Sequence, residues 1–355
     1  MAAMVISNAM LIASTCLMIS PSTSPSTATV REVRGARLQG ASIGWDILNR
    51  EAIEALRKNR ENPDIITDIV ARALDLAEED GRLSPPSTAT NLRTLAALVR
   101  KNEDGWRWCG GLYRRALEID EVALGPDHPD VATDLYSLAV CLHNEDCLTD
   151  AEPLYNRCLA IQEKALGPNH PDVAATLIAL AELHRLTGRP LRSIALYERA
   201  LAITETARGP AHPTVAAILT ELAELHSFQR QFARSELLYR RAQTIYEKAW
   251  GWEHVTDKCL NGLAMTYVLQ QRHAEAEPLC KRVVARFEKA MLKSPNALGA
   301  RLALASSLRR LARLYRATSR EEEAERLEQR ATHLRKAARR TRPRRSSPSG
   351  DSRLH

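Results

Sequence analysis

Four histidines are the first residues whose spacing suggests chemistry. His128, His170, His212 and His254 recur at intervals of 42 residues, and imidazoles in register invite a metal-binding reading. Ligands on one zinc ion each lie about 2 Å from it. Equivalent points on stacked helical layers are instead on the order of 10 Å apart, roughly the width of a helix. The repeated histidines cannot share an ion, so their expected role is in the loop, capping the helix that starts at the next proline. His184 and His226 also recur, in Glu182-Leu183-His184 and Glu224-Leu225-His226. Other copies carry Leu142 and Tyr267 there, which predicts histidines in a helical interface. The chain has no His-Glu-x-x-His, no phosphate-binding glycine loop, no dinucleotide fingerprint and no serine elbow. No catalytic residue, metal, cofactor or small-molecule substrate is expected, and the protein is read as a non-enzyme.

The thiols point the same way. Seven cysteines, Cys16, Cys109, Cys141, Cys147, Cys158, Cys259 and Cys280, contain no Cys-x-x-Cys and no zinc-finger spacing. Several fall where a small core residue belongs, so buried reduced thiols in a reducing compartment are expected.

The elements that position these residues follow from a repeated phrase. Leu124-Gly125-Pro126-Asp127-His128-Pro129-Asp130-Val131-Ala132 returns at Leu166 to Ala174 and at Arg208 to Ala216, with a fainter copy around Gly251 and His254. A fixed period of this length signals a repeat architecture. Between the phrases, Leu135, Leu138, Ala139 and Leu142 mark one helix, and Ala151, Tyr155 and Cys158 mark a second. The next copies give Leu177, Leu180, Ala181 with Tyr197, Ala200, then Leu219, Leu222, Ala223 with Tyr239, Ala242. Glycine after the second helix suits a C-terminal cap, and proline after the histidine suits a first helical turn. With 45% hydrophobic but 5% aromatic residues and no strand pattern, the fold class is all-α, an α-solenoid of about seven helical hairpins.

The marker order resembles the tetratricopeptide repeat (TPR), whose small residues let two helices approach closely. The 42-residue period, the Leu-Gly-x-x-His-Pro loop and Ala151-Glu152-Pro153-Leu154-Tyr155 are similar to the kinesin light chain type, most clearly over residues 124–250. That type favours an Asn pair after the first marker leucine; Tyr136-Ser137, Ile178-Ala179, Thr220-Glu221 and Asn261-Gly262 stand there instead. No long heptad segment precedes the repeats either. A motor subunit is therefore disfavoured. What the resemblance implies is a scaffold that takes a partner peptide or helix in the concave groove of the stack.

In such repeats the groove residues lie one, five and eight places after the marker leucine. This selects Tyr136, Val140 and His143; Ile178, Glu182 and Arg185; Thr220, Glu224 and Ser227; Asn261, Met265 and Val268; and Arg309, Arg313 and Arg316. The last three form a line of arginines at helical spacing, suited to a carboxylate-bearing or phosphorylated segment.

The ends differ from the middle. Residues 1–40 open without a charged residue up to Val30 and then reach Arg31, Arg34 and Arg37, which reads as a leader, either a targeting segment, a membrane anchor or a disordered start. Residues 41–340 are assigned to the solenoid and 341–355 to a disordered basic tail. Arg335, Lys336, Arg339, Arg340, Arg342, Arg344, Arg345 and Arg353 against Asp351 account for the whole net charge of +7, leaving the repeats near neutral. The tail supports an alternative reading as a nucleic-acid or anionic-surface adaptor, although no aromatic residues interleave for base stacking. A cytoplasmic location is expected, or an organelle if residues 1–40 direct it there. Trp106, Trp108, Trp250 and Trp252 are expected to pack near inter-helix loops.

Overall fold

A computed structural model of the chain describes Glu54 and residues 63–80, 85–100, 105–250, 256–294 and 298–340. The leader, the tail, Cys16, Trp252 and His254 lie outside these. Among the described residues there are thirteen helices and no strand. α1 spans Pro63–Asp80. Six hairpins follow: α2 (Pro85–Val99) with α3 (Trp106–Leu124), α4 (Pro129–Asn144) with α5 (Leu148–Leu166), α6 (Pro171–Leu186) with α7 (Pro190–Arg208), α8 (Pro213–Phe228) with α9 (Phe232–Trp250), α10 (Asp257–Leu269) with α11 (His273–Lys293), and α12 (Leu298–Ala317) with α13 (Glu321–Arg340). The helices form two compact units, one up to Pro210 and one from Ala211.

Within each hairpin, small residues set the distance between helices. Ala139 and Ala151, and Ala181 and Ser193, are fully buried. Ser193 Oγ donates to the Ala181 carbonyl at 2.7 Å, and Ser235 Oγ to that of Ala223 at 2.8 Å, so these hydroxyls are satisfied in place. Tyr155, Tyr197 and Tyr239 fill the space beside them and are fully buried. Between successive hairpins of the second unit the approach is also close: at Gly262 of α10 a Cβ would lie 2.3 Å from the Tyr239 ring of α9.

The loops hold because both helix ends are capped. Gly125, Gly167 and Gly209 take φ near +90°, at 92°, 89° and 87°, where a side chain is strained. The next helix starts on histidine: Nδ1 of His128, His170 and His212 accepts from the backbone N–H of Asp130, Asp172 and Thr214, each at 3.2 Å. These histidines are N-caps, as their position before proline predicts. In α10, Thr256 Oγ1 serves instead, accepting from Cys259 N–H at 3.2 Å. The turn inside the hairpins from α4–α5 onward also repeats, through backbone bonds such as Cys147 N–H to the Leu142 carbonyl at 2.9 Å and Arg189 N–H to that of His184 at 2.8 Å.

Successive hairpins are joined by burial and by recurrent ion pairs. α3 packs on α4 and α5 on α6 in the first unit, and α9 on α10 and α11 on α12 in the second. The arginine that opens the second helix reaches back one hairpin. Arg189 forks onto Glu152 at 2.9 and 2.7 Å, Arg272 bonds Glu236 at 2.6 Å, and Arg320 bonds both oxygens of Glu277 at 3.0 Å. Arg272 and Arg320 also lie over the rings of Tyr267 and Tyr315, at 4.5 and 3.8 Å.

One expectation is corrected. Cys109 and Cys141 are not free thiols but form a disulfide between α3 and α4, with Cα atoms 6.8 Å apart. Spacing alone hides it, because the partners are 32 residues apart and meet only when neighbouring hairpins stack. Cys158, Cys259 and Cys280 are buried thiols, and burial pushes Cys158 and Cys259 up to about 12, which leaves them unreactive. No described helix is long and apolar enough to cross a membrane.

His170→Ala should lower the unfolding free energy by about 1 kcal/mol, the typical value of an N-cap. His170→Asn, which restores an acceptor, should recover most of it. Denaturant unfolding followed by circular dichroism tests this; equal losses in both variants would assign the effect to imidazole packing.

Candidate functional site

Two arrangements can do chemistry or binding: a buried carboxylate cluster in the first unit and an open register in the second. In the first, Arg93 of α2 bonds Asp120 of α3 and, at 3.1 Å, Asp134 of α4. Both carboxylates are fully buried. Burial, with the Asp120 carboxylate beside it, pushes Asp134 up to about 7 against the pull of Arg93. A raised carboxyl of this kind is a candidate general acid. Here it lies in the junction of three helices, which makes it a structural tie. Tyr155 and His143, ring centroids 6.2 Å apart, are likewise buried in the first unit.

The expected groove residues do not share one environment. Tyr136, Val140, His143, Ile178, Glu182 and Thr220 are buried rather than presented on an open face. Arg93 explains why. It occupies the same register as Tyr136, one place after the marker leucine Leu92, and touches both its own hairpin's second helix and the next hairpin's first. Thr220 does the same: its hydroxyl donates to the Ala216 carbonyl at 2.8 Å and lies against Tyr246 of α9 and Cys259 of α10. Arg93 and Thr220 thus point into the seam between their own hairpin and the next. Glu182 is held by Arg185 through Nε at 2.8 Å and Nη2 at 2.5 Å, and accepts from Tyr197 at 3.3 Å. Glu224 pairs with Lys258 at 2.8 Å, which also holds Glu221 at 2.6 Å. Ser227 is half-buried.

The same register opens from α10 onward. Asn261 and Val268 are half-buried, and Met265 is 54% exposed with Leu269 close by at 46%. On α12, Arg309, Arg313 and Arg316 are exposed. Arg316 is committed: its Nη atoms fork onto Glu328 at 2.6 and 2.7 Å, and Nε bonds Glu321 at 2.9 Å. Arg309 and Arg313 make no ion pair among the described residues. The structure adds two residues that the sequence reading counted only for their charge, Arg335 and Lys336. α13 carries them back beside Arg309, where they line a cleft of about 260 Å³ with Glu328 and Thr332.

Among the described residues, His184 and His226 inside the helices and Trp106 and Trp108 are packing groups. His226 Nδ1 shares a hydrogen bond with Gln231 at 2.8 Å, and burial holds His184 below the usual histidine range. Trp106 and Trp108 pack on the first unit's core, and Trp250 stacks on Tyr246 with centroids 5.8 Å apart.

Paired helices with small residues at their closest approach and a capped loop between pairs define a helical-repeat protein. Profiles of the tetratricopeptide repeat match residues 135–206, 187–248 and 258–292, which makes the hairpins there tetratricopeptide repeats. Solved structures share the fold. A kinesin light chain-type protein of Podosopora anserina, built of nearly identical TPR-like repeats, is 23% identical, with a TM-score of 0.50 over 60% of this chain and 99% of that one. RapI in its apo form is 10% identical, with a TM-score of 0.54 over 83% and 99%. PilW, a type IV pilus biogenesis factor, is 16% identical, with a TM-score of 0.52 over 69% and 92%. No curated protein sequence matches significantly.

The carboxylate cluster predicts a pH effect with a definite sign. Asp134 binds its proton more tightly folded than unfolded, so the folded state holds more protons between about pH 4 and 7, and stability contributed by this site declines as pH rises through that window. Asp134→Asn should flatten that decline in the denaturation midpoint measured across it. An unchanged slope would remove Asp134 as its cause.

Proposed function

We propose that the chain is a non-enzymatic interaction scaffold that holds a segment of a partner protein, extended or helical, on the open register of its second unit. The observation that carries this reading is the change in exposure within one register. The position one place after the marker leucine is buried at Tyr136, Ile178 and Thr220, half-buried at Asn261 and exposed at Arg309. The position five places after it is buried at Val140 and Glu182, half-buried at Glu224 and exposed at Met265 and Arg313, without ion-pair partners for the two arginines among the described residues. An apolar side chain on one helix and free guanidinium groups on another suit a segment that combines apolar and acidic groups. Arg185 and Glu224 take part only by releasing Glu182 and Lys258, so they are supporting residues at most. The tetratricopeptide fold is a frequent platform for protein binding, and nothing in the carboxylate or histidine clusters competes with that reading.

The adaptor alternative places affinity in residues 341–355 and makes the partner a nucleic acid or an anionic surface. The full chain, a Met265→Asp/Arg313→Glu variant and a chain truncated after Arg340 separate the two in parallel affinity captures read by mass spectrometry. The scaffold reading predicts one protein retained by the full and truncated chains and reduced by about tenfold in the double variant, with unchanged helicity. Retention by the double variant but not by the truncated chain would contradict it.

A further inference from the structure

We infer that the cleft between α12 and α13 receives a phosphorylated side chain of the partner segment, an inference that rests on the scaffold reading above. Its lining joins two features that stand far apart in the sequence. Arg309 comes from the exposed stripe of α12, and Arg335 and Lys336 come from the last turns of α13. Thr332 adds a hydroxyl, and the one carboxylate, Glu328, is already forked by Arg316 at 2.6 and 2.7 Å.

The charge of the cleft selects the ligand. Glu328 and Arg316 cancel as a pair, leaving three cations that make no ion pair among the described residues. A carboxylate brings one negative charge and two oxygens, which one arginine satisfies. A phosphomonoester brings about −1.5 to −2 and three acceptor oxygens near neutral pH. It therefore fits two guanidinium groups, an ammonium and a hydroxyl better than an acidic side chain does. A nucleic-acid phosphate would bring bases with it, and no aromatic ring lines the cleft on which they could stack.

The neighbouring surface adds a sequence preference. Leu302, 40% exposed, lies on the same stripe of α12 as Ser306, Arg309 and Arg313. Seven residues of helix separate Leu302 from Arg309, a rise of about 10 Å, which an extended chain covers in about three residues. The partner segment is expected to carry an apolar residue about three positions from the phosphorylated one.

The test titrates the full-length protein into a fluorescein-labelled degenerate peptide library built around a fixed phosphoserine. The same library with unmodified serine, and a labelled oligouridylate, run beside it. Arg309→Ala/Lys336→Ala removes two lining cations, and Lys248→Ala/Arg326→Ala is the charge-matched control at exposed sites outside the cleft. The phosphoserine library should bind, lose about tenfold or more in affinity in the lining variant, and be unchanged in the control. A library enriched on the protein should show the apolar residue at the stated spacing. Equal binding of both libraries, absence of binding, or equal loss in the control would overturn the inference. Tighter binding of the oligouridylate with the same dependence on Arg309 and Lys336 would assign the cleft to nucleic acid and overturn it too. A captured partner that stays bound after phosphatase treatment would sink this inference and leave the scaffold reading standing.

Discussion

The structure depends on one constraint: a single helical hairpin cannot bury its own apolar surface, so each must lend a face to the next. The small residues at 139 and 151, or 181 and 193, bring two helices together, and the tyrosines beside them fill the remaining volume. That packing leaves a seam to the following hairpin. Polar side chains placed there must find partners across it, because unpaired burial is costly. Arg93 with Asp120 and Asp134, and Lys258 with Glu221 and Glu224, are two solutions to that problem. The arginines that reach back to Glu152, Glu236 and Glu277 repeat a third at the seam's margin. Each pair is partly exposed and is worth little alone; their recurrence fixes how one layer registers on another.

The binding reading follows from where that constraint relaxes. A register position inside a seam is closed to a partner, however suitable its side chain. The positions on α10 and α12 are accessible, and there the residues change to Met265, Arg309 and Arg313. Arg316 shows what a guanidinium in this place does when a carboxylate is within reach: it forks.

Much of this was legible in the chain itself. The Gly-x-x-His-Pro phrase located the loops because its chemistry is local: glycine at positive φ, histidine as an acceptor and proline in a first turn need no distant partner. The marker leucines and alanines located the helix pairs for the same reason. The sequence failed where the answer depends on a second hairpin. Cys109 and Cys141 meet only across α3 and α4, so spacing could not pair them. Tyr136, Ile178 and Thr220 looked like groove residues on an isolated helix, but the folded chain buries that stripe. Arg335 and Lys336 were counted with the charge of the tail, whereas α13 continues to Arg340 and returns them to Arg309.

The central claim is that the open register of the second unit contacts a partner protein. Site-specific photo-crosslinking in cells tests it most directly, with the crosslinking residue placed at Met265, at Arg313, and at Val122, which is 89% exposed on α3. The account predicts one and the same protein attached at Met265 and Arg313 and absent at Val122. Attachment at all three sites alike, or at none, would contradict it.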